Sequence, residues 1–306
     1  MTLLEFRDYL IPGLALGALY SVIAIGYTLV YGVLKLINFA HSEVFMLGGF
    51  GALIVLTEVA PGHPSGLVSV LLVLLGLAVS GLVGAGTAFG LEKVAYRPLR
   101  KRNAPALIFL ISAIGASFFL YNLAGKLFGR DPKAMPALFD NGVLFHVFGA
   151  PVDVVKLLLI VAALVMIVGL DLLVRRTRLG SAIRAVAQDP EAAGLMGVDI
   201  DRIVSRTFMI GGVLGGIAGF LFGLNSQVSF TMGFIPGITA FAAAVLGGIG
   251  NIRGAMLGGM LLGLVETYNV PLFGEEWRYV AAFVVLVVVL MFRPTGILGA
   301  KLGRTA

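Results

Sequence analysis

The sequence predicts an all-α fold, a polytopic bundle of about eight to ten membrane-crossing helices, on three observations. Apolar residues fill 59% of its 306 positions and charged residues only 12%, with a mean hydropathy of +1.02. Soluble domains hold about 45–50% apolar and about 25% charged residues, so no single aqueous core can hide this much apolar surface. Nine separated segments approach the roughly 20 apolar residues that a membrane crossing needs. Finally, the 42 glycines lie largely within those segments, many at spacings of four.

The nine segments run over residues 11–33, 39–60, 66–90, 104–128, 152–174, 203–224, 235–250, 254–270 and 279–292. Glycines interrupt 39–60 and 235–250, so each reads as a broken or re-entrant helix. The first ten residues, MTLLEFRDYL, lack the basic opening of a secretory signal and read as retained.

Basic residues give the bundle a direction. Lys93, Arg97, Arg100, Lys101 and Arg102 form one group, and Arg175, Arg176, Arg178, Arg184, Arg202 and Arg206 another. With Arg253, Arg293, Lys301 and Arg304, these place 15 of the 22 lysines and arginines on one side, which the positive-inside rule makes cytoplasmic. That rule also accounts for the net charge of +6 without any nucleic-acid partner. The loop 129–151 mixes Arg130 and Lys133 with Asp131 and Asp140 and belongs outside. Nine full crossings would set the first residue outside and the last inside; one re-entrant segment would move the first inside.

Pairs of small residues four apart let helix backbones approach closely. Gly211-Gly212, Gly215-Gly216 and Gly219 make one such face, and Gly254, Gly258-Gly259 and Gly263 a second. The stretches INFAHSEVFMLGGFGALIVL and FIPGITAFAAAVLGGIGNIRG are both apolar and glycine-interrupted, one in each half. Matched interrupted segments point to a substrate site in repeat-built transporters.

Chemistry-bearing patterns are few. There is no cysteine, hence no disulfide or thiolate chemistry. No Gly-Lys precedes Ser or Thr at P-loop spacing, so ATP phosphates find no such cradle in this chain. His41, His63 and His146 stand far apart, and no resident metal or enzymatic nucleophile is expected. Polar residues at membrane depth say more. Lys35, Asn38, His41, Ser42 and Glu43 fall between two apolar segments with little room for a loop, and ionisable groups in hydrocarbon usually face a partner or water. They read either as a surface turn or as an unwound segment lining a pathway. Glu266, Asn225, Ser226 and Gln227 are weaker candidates of the same kind.

Residues 175–204, RRTRLGSAIRAVAQDPEAAGLMGVDIDRIV, form the most specific feature. Helix formers fill 181–187; Asp189 then suits an N-cap and Pro190 a first helical position. Gly197 can end the turn. A short amphipathic helix along the membrane surface results, either resting on lipid or offered to a cytoplasmic partner.

Within it, Glu191-Ala192-Ala193 followed by Gly197 resembles the coupling loop of ABC-importer permeases. GALYSVIAIGYTLVYGVLKLINFAHSEVFMLGGF, AAAVLGGIGNIRGAMLGG and FRPTGILG resemble the branched-chain amino acid ABC-transporter permease family, in the right order along the whole chain. The compact length is similar to the smaller, high-affinity type of its two permeases. The resemblance implies one permease domain over 1–306, with a coupling loop at 175–204, in a bacterial inner membrane, loop and C-terminus cytoplasmic. It implies a second homologous permease, two ATPase subunits and a periplasmic or lipid-anchored substrate-binding protein as partners beside membrane lipid. ATP and Mg would be bound by those ATPases, leaving no cofactor and no enzymatic reaction here. Glu191, Ala192, Ala193 and Gly197 carry over as the ATPase contact, flanked by Arg184 and Asp189. INFAHSE and the 247–251 break resemble family signature segments; on that basis Asn38, Phe39, His41, Ser42, Glu43, Gly247, Gly248, Gly250 and Asn251 are assigned to the translocation pathway. Where Ser42 stands the family commonly has glycine. A permease for urea or short amides is the alternative within the family. An ATP-independent channel or secondary carrier is the alternative outside it, for which only Asp171 and Glu266 could supply intramembrane charge pairs.

Overall fold

In the computed structural model, residues 7–60, 62, 64, 66–139, 142–147 and 150–299 are described. His63, Asp140, Lys301, Arg304 and the first six residues therefore lie outside the described residues. Each of the nine apolar segments is helical. In chain order the helices are α1 (Leu10–Leu34), α2 (His41–Val59), α3 (Gly66–Leu91), α4 (Arg97–Lys101), α5 (Ala106–Phe128), α6 (Val154–Arg176), α7 (Arg178–Gln188), α8 (Pro190–Leu195), α9 (Ile200–Asn225), α10 (Phe234–Gly247), α11 (Ile252–Phe273) and α12 (Arg278–Phe292).

Seven of these helices are long and apolar enough to cross a membrane, α3 running on through a π-helical turn, Glu92–Tyr96, into α4. At 1.5 Å per residue that 36-residue rod is about 54 Å long, well beyond a hydrocarbon layer of about 30 Å. Its arginine-bearing end must stand clear of the layer. By the same measure α10, with 14 residues, reaches only about 21 Å and stops short. The interruption expected in 39–60 is instead a break before the helix: Lys35 takes a left-handed conformation (φ 56°), and α2 runs unbroken from His41.

Helix starts are set by side chains that accept from the free backbone N–H groups. Asp153 opens α6, Thr177 α7, Asp189 α8, Asp199 α9 and Asn251 α11, each capping its own first turn. Short antiparallel ribbons join Lys133–Ala134 to Gln227–Val228, and Val143–Val147 to Ala150–Asp153. They cap the end of the bundle opposite the arginines.

At the centre stands α1, 89% of whose most apolar window is buried, packed by α11, α9, α6 and α10. By contrast α5, at 11%, is a peripheral helix whose apolar side chains face outward. Glycines set the spacing at the centre. They form two adjoining strips on each helix rather than the one face that spacing alone suggests. On α9, Gly212 and Gly216 meet the α3 backbone at Gly84 and Ser80, while Gly215 meets His41 and Gly219 the Phe45 carbonyl. On α11, Gly259 and Gly263 lie against Ser21 and Gly17 of α1, and Gly254 and Gly258 against Gly247 and Ala243 of α10.

At Gly263 a side chain would run into the backbone of Gly17, which cannot rotate away, whereas Gly86 faces open space. Gly263→Leu is therefore expected to lower the Tm of the purified protein by at least about 5 °C, and Gly86→Leu to leave it within about 2 °C. A thermal melt in detergent reads both.

Candidate functional site

The turn between α1 and α2 sends its polar groups in opposite directions. Asn38, 3% exposed, accepts a hydrogen bond at Oδ1 from the Tyr96 hydroxyl, 2.7 Å away. The His41 ring lies edge-on to Tyr27 (centroids 4.8 Å apart), in a notch left by Gly26, Gly211 and Gly215. Its Nε2 meets no hydrogen-bond partner. Glu43, two residues on in the first turn of α2, points the other way, into a cavity. Its Oε1 accepts from Ser117 Oγ of α5 at 2.9 Å and from Ser42 Oγ at 3.2 Å. Ser42 Oγ is also 2.8 Å from the Phe39 carbonyl. Glu43 is 4% exposed and has no ion pair among the described residues.

Beside Glu43 opens a cavity of about 590 Å³. Tyr27, Phe39 and Ser42 form one wall, Ile114, Ser117, Phe118 and Tyr121 of α5 a second, and Thr231 to Ile238 at the start of α10 a third. Of the residues assigned to a pathway from sequence, the structure thus brings Phe39, Ser42 and Glu43 to one cavity. Asn38 and His41 pack behind it.

Gly247, Gly248, Gly250 and Asn251 lie elsewhere, in the break between α10 and α11. Gly248 (φ 104°) and Gly250 (φ 94°) adopt backbone conformations that favour glycine. The C-terminal segment lies across this break: Ile297 and Leu298 donate backbone N–H groups to the Leu246 and Gly247 carbonyls, and Asn251 Nδ2 donates to the Leu298 carbonyl at 2.8 Å.

At the arginine-rich end a buried network had no signal in the sequence beyond its charges. The π-helical turn keeps Glu92 and Tyr96 both inward, each with no exposed surface. Glu92 Oε1 is 2.9 Å from Arg100 Nη2 and 3.9 Å from Arg97 Nε, and Oε2 accepts from Ser205 Oγ at 2.7 Å. Asp201 at the start of α9 holds the same two arginines, at 2.6 and 3.4 Å. Two arginines thus balance two carboxylates. Near the opposite end Glu266, also fully buried, accepts from the Tyr20 hydroxyl at 2.8 Å and lies 3.8 Å from Arg278 Nε. Asn225, Ser226 and Gln227 line a second cavity of about 480 Å³ together with Tyr20 and Arg278. Asp171 pairs with Arg175 at 2.8 Å and, more distantly, with Arg253.

The 175–204 loop folds as two helices. α7 buries Gly180, Ile183 and Val186, three residues apart, while Arg184 lies exposed, its guanidinium donating to the Val174 carbonyl and to Ser181 Oγ. Asp189 Oδ1 accepts from Ala192 N at 3.0 Å and opens α8 at Pro190. Only Ala193 of α8 is buried; Glu191 and Ala192 are exposed, and Leu195 and Met196 are 90% and 85% exposed. Gly197 (φ 86°) turns the chain into α9, and Val198 N donates to the Ala193 carbonyl. The result is a small, stiffly capped projection with two bare apolar side chains at its tip.

Sequence reasoning missed Tyr27, Ser117, Glu92 and Tyr96. Each sits inside an apolar helix with nothing local to mark it; Glu92 had a faint signal as a lone carboxylate beside arginines.

Residues 9–290 match the family model described as branched-chain amino acid transport system / permease component. The chain is 43% identical over 300 residues to the high-affinity branched-chain amino acid transport system permease protein BraD of Pseudomonas aeruginosa, covering 96% of each. It is 38% identical over 301 residues to the permease protein LivH of the corresponding Escherichia coli system, covering 97% of this chain and 96% of LivH. The fructose import permease protein FrcC of Rhizobium meliloti is more distant, 27% identical over 84% of this chain and 73% of its own length.

Without Glu92, Arg97 and Arg100 keep Asp201 and some water, so the loss is that of charge-assisted hydrogen bonds. Glu92→Ala is expected to destabilise the folded protein by about 2–3 kcal/mol and Ser205→Ala by about 1 kcal/mol. Equilibrium unfolding in denaturant checks the order and size of the two losses.

Proposed function

Because this chain belongs to the branched-chain amino acid transport system permease family, we propose that it forms the membrane-spanning permease subunit of an ATP-driven importer for branched-chain amino acids. It is a multi-pass membrane protein. In this reading residues 1–306 make one permease domain in a bacterial inner membrane, paired with a second, homologous permease. Two ATPase subunits bind ATP and Mg on the cytoplasmic side, and a periplasmic or lipid-anchored binding protein delivers substrate outside. This chain itself needs no cofactor.

The observation that carries the reading is the α8 projection. Arg97, Arg100, Arg175 and Arg253 gather at the same end of the bundle through their contacts with Glu92, Asp201 and Asp171, and the positive-inside rule makes that end cytoplasmic. Exposed Glu191, Leu195 and Met196 there suit a groove on an ATPase, where a desolvated apolar tip carries most of the binding energy. ATP favours one arrangement of the two ATPases; a partner shifts an equilibrium only by its differential affinity for the states, and α8 passes that bias to α9. The assignment of substrate is supported by the high identity to permeases named for branched-chain amino acids, against the lower identity to one named for fructose.

Reversing the charge at Glu191 tests this. In the reconstituted importer, Glu191→Arg is expected to reduce both binding-protein-stimulated ATPase activity and uptake by about tenfold or more. Its thermal stability should stay within about 0.5 kcal/mol of wild type, since the side chain is exposed. Uptake and ATPase stimulation equal to wild type would remove α8 from the coupling role.

A further inference from the structure

We infer that the cavity of about 590 Å³ beside Glu43 is a transit site for a small aliphatic molecule carrying a primary ammonium group, with the Glu43 carboxylate as its counter-charge. The inference rests on the permease reading and names the chemistry that its pathway accepts.

Among the described residues three carboxylates are at least nine-tenths buried, and their partners differ. Glu92 faces two arginines and Glu266 faces Arg278. Glu43 accepts hydrogen bonds from the Ser42 and Ser117 hydroxyls and has no ion pair among the described residues. A buried carboxyl without a counter-ion is ionised only at a cost, and either a proton or a cation can relieve that cost. Among the described residues no side chain supplies the cation at Glu43, so a cationic ligand entering the cavity would gain a counter-charge there. Both serine contacts fall on Oε1, the closer one from Ser117, which leaves the other carboxylate oxygen on the cavity wall for a ligand.

The rest of the cavity describes the rest of the ligand. Phe39, Ile114, Phe118, Ile235 and Ile238 offer apolar wall, and the volume lies within the roughly 300–1,000 Å³ of small-molecule sites. An aliphatic side chain meets those walls while an ammonium reaches Glu43. A short neutral amide would satisfy the walls but leave the charge uncompensated, so the site favours amino acids over amides. The serines make the hold modest, as a transit site requires.

The test uses the complete membrane complex, both permeases with both ATPases, in lipid nanodiscs without the binding protein. Saturable binding of radiolabelled free leucine is measured, with 3-methylbutylamine and 2-hydroxy-4-methylpentanoate as competitors. Wild type is expected to bind, with the amine competing and the hydroxy acid competing at least tenfold less well. Glu43→Gln should weaken binding by about 10–100-fold and Ser117→Ala by about two- to tenfold, with Glu43→Asp retaining part of the affinity. The site is overturned if wild type shows no saturable binding, if the hydroxy acid competes as well as the amine, or if Glu43→Gln binds like wild type. Should Glu43→Gln fail to assemble, Glu43→Asp and Ser117→Ala decide in its place. Failure of both Glu43 variants to assemble with the second permease would overturn the inference, because the counter-charge would then belong to that subunit. ATP-driven uptake by the wild-type importer is read separately: uptake without binding overturns the site alone, and no uptake overturns the permease reading.

Discussion

Close backbone contact against α1 and α9 is the constraint on which this architecture depends. Lipid tails are as apolar as leucine, so helices in a bilayer gain little from hiding apolar side chains against one another; dispersion and close approach must hold them. Gly17 and Ser21 on α1 let α11 settle on its backbone, and Gly212 and Gly216 on α9 let α3 do the same. Because those contacts are backbone to backbone, they fix helix positions more tightly than flexible side chains would. The His41 notch is a by-product of this geometry: a side chain at Gly26 would run into the ring, and one at Gly215 would crowd it.

That constraint also explains what could be read in advance. Segment positions and fold class were legible because apolar runs of membrane length have few alternatives in bilayer or water. The Asp189 cap, Pro190 and the Gly197 turn were legible because capping is local chemistry, decided by residues within one turn of each other. The glycine spacing was legible, but which neighbour each strip would meet was not: a period of four says that a face is small and nothing about what approaches it. Glu92, Tyr96 and Ser117 escaped for the same reason. Their partners, Ser205, Asn38 and Glu43, lie 58 to 113 residues away, and no local pattern encodes such pairings.

The α1–α2 turn shows how the two kinds of information combine. Its polar run stood out in sequence because polarity at that depth is costly. The structure then divides it by direction. Asn38 and His41 turn inward to Tyr96 and the glycine notch, while Ser42 and Glu43 turn toward the cavity. His41 and Ser42, consecutive in α2, thus do different work because side chains leave the helix axis about 100° apart.

The same turn connects the two ends of the functional reading. Ala193 of α8 is bonded through its carbonyl to Val198, at the threshold of α9. In the first two turns of α9, Asp201 and Ser205 hold Arg100 and Glu92, and the π-helical turn carrying Glu92 also carries Tyr96. Tyr96 is bonded to Asn38, three residues before the helix that bears Glu43. This series is made of hydrogen bonds, ion pairs and short stretches of backbone rather than soft apolar contacts. It also passes through the one segment of α3 that departs from regular α-helical bonding, and single π turns of this kind occur often at functional sites. In the proposed importer, a displacement of α8 would meet this stiff path as far as Glu92–Tyr96, where the bonding changes from α to π.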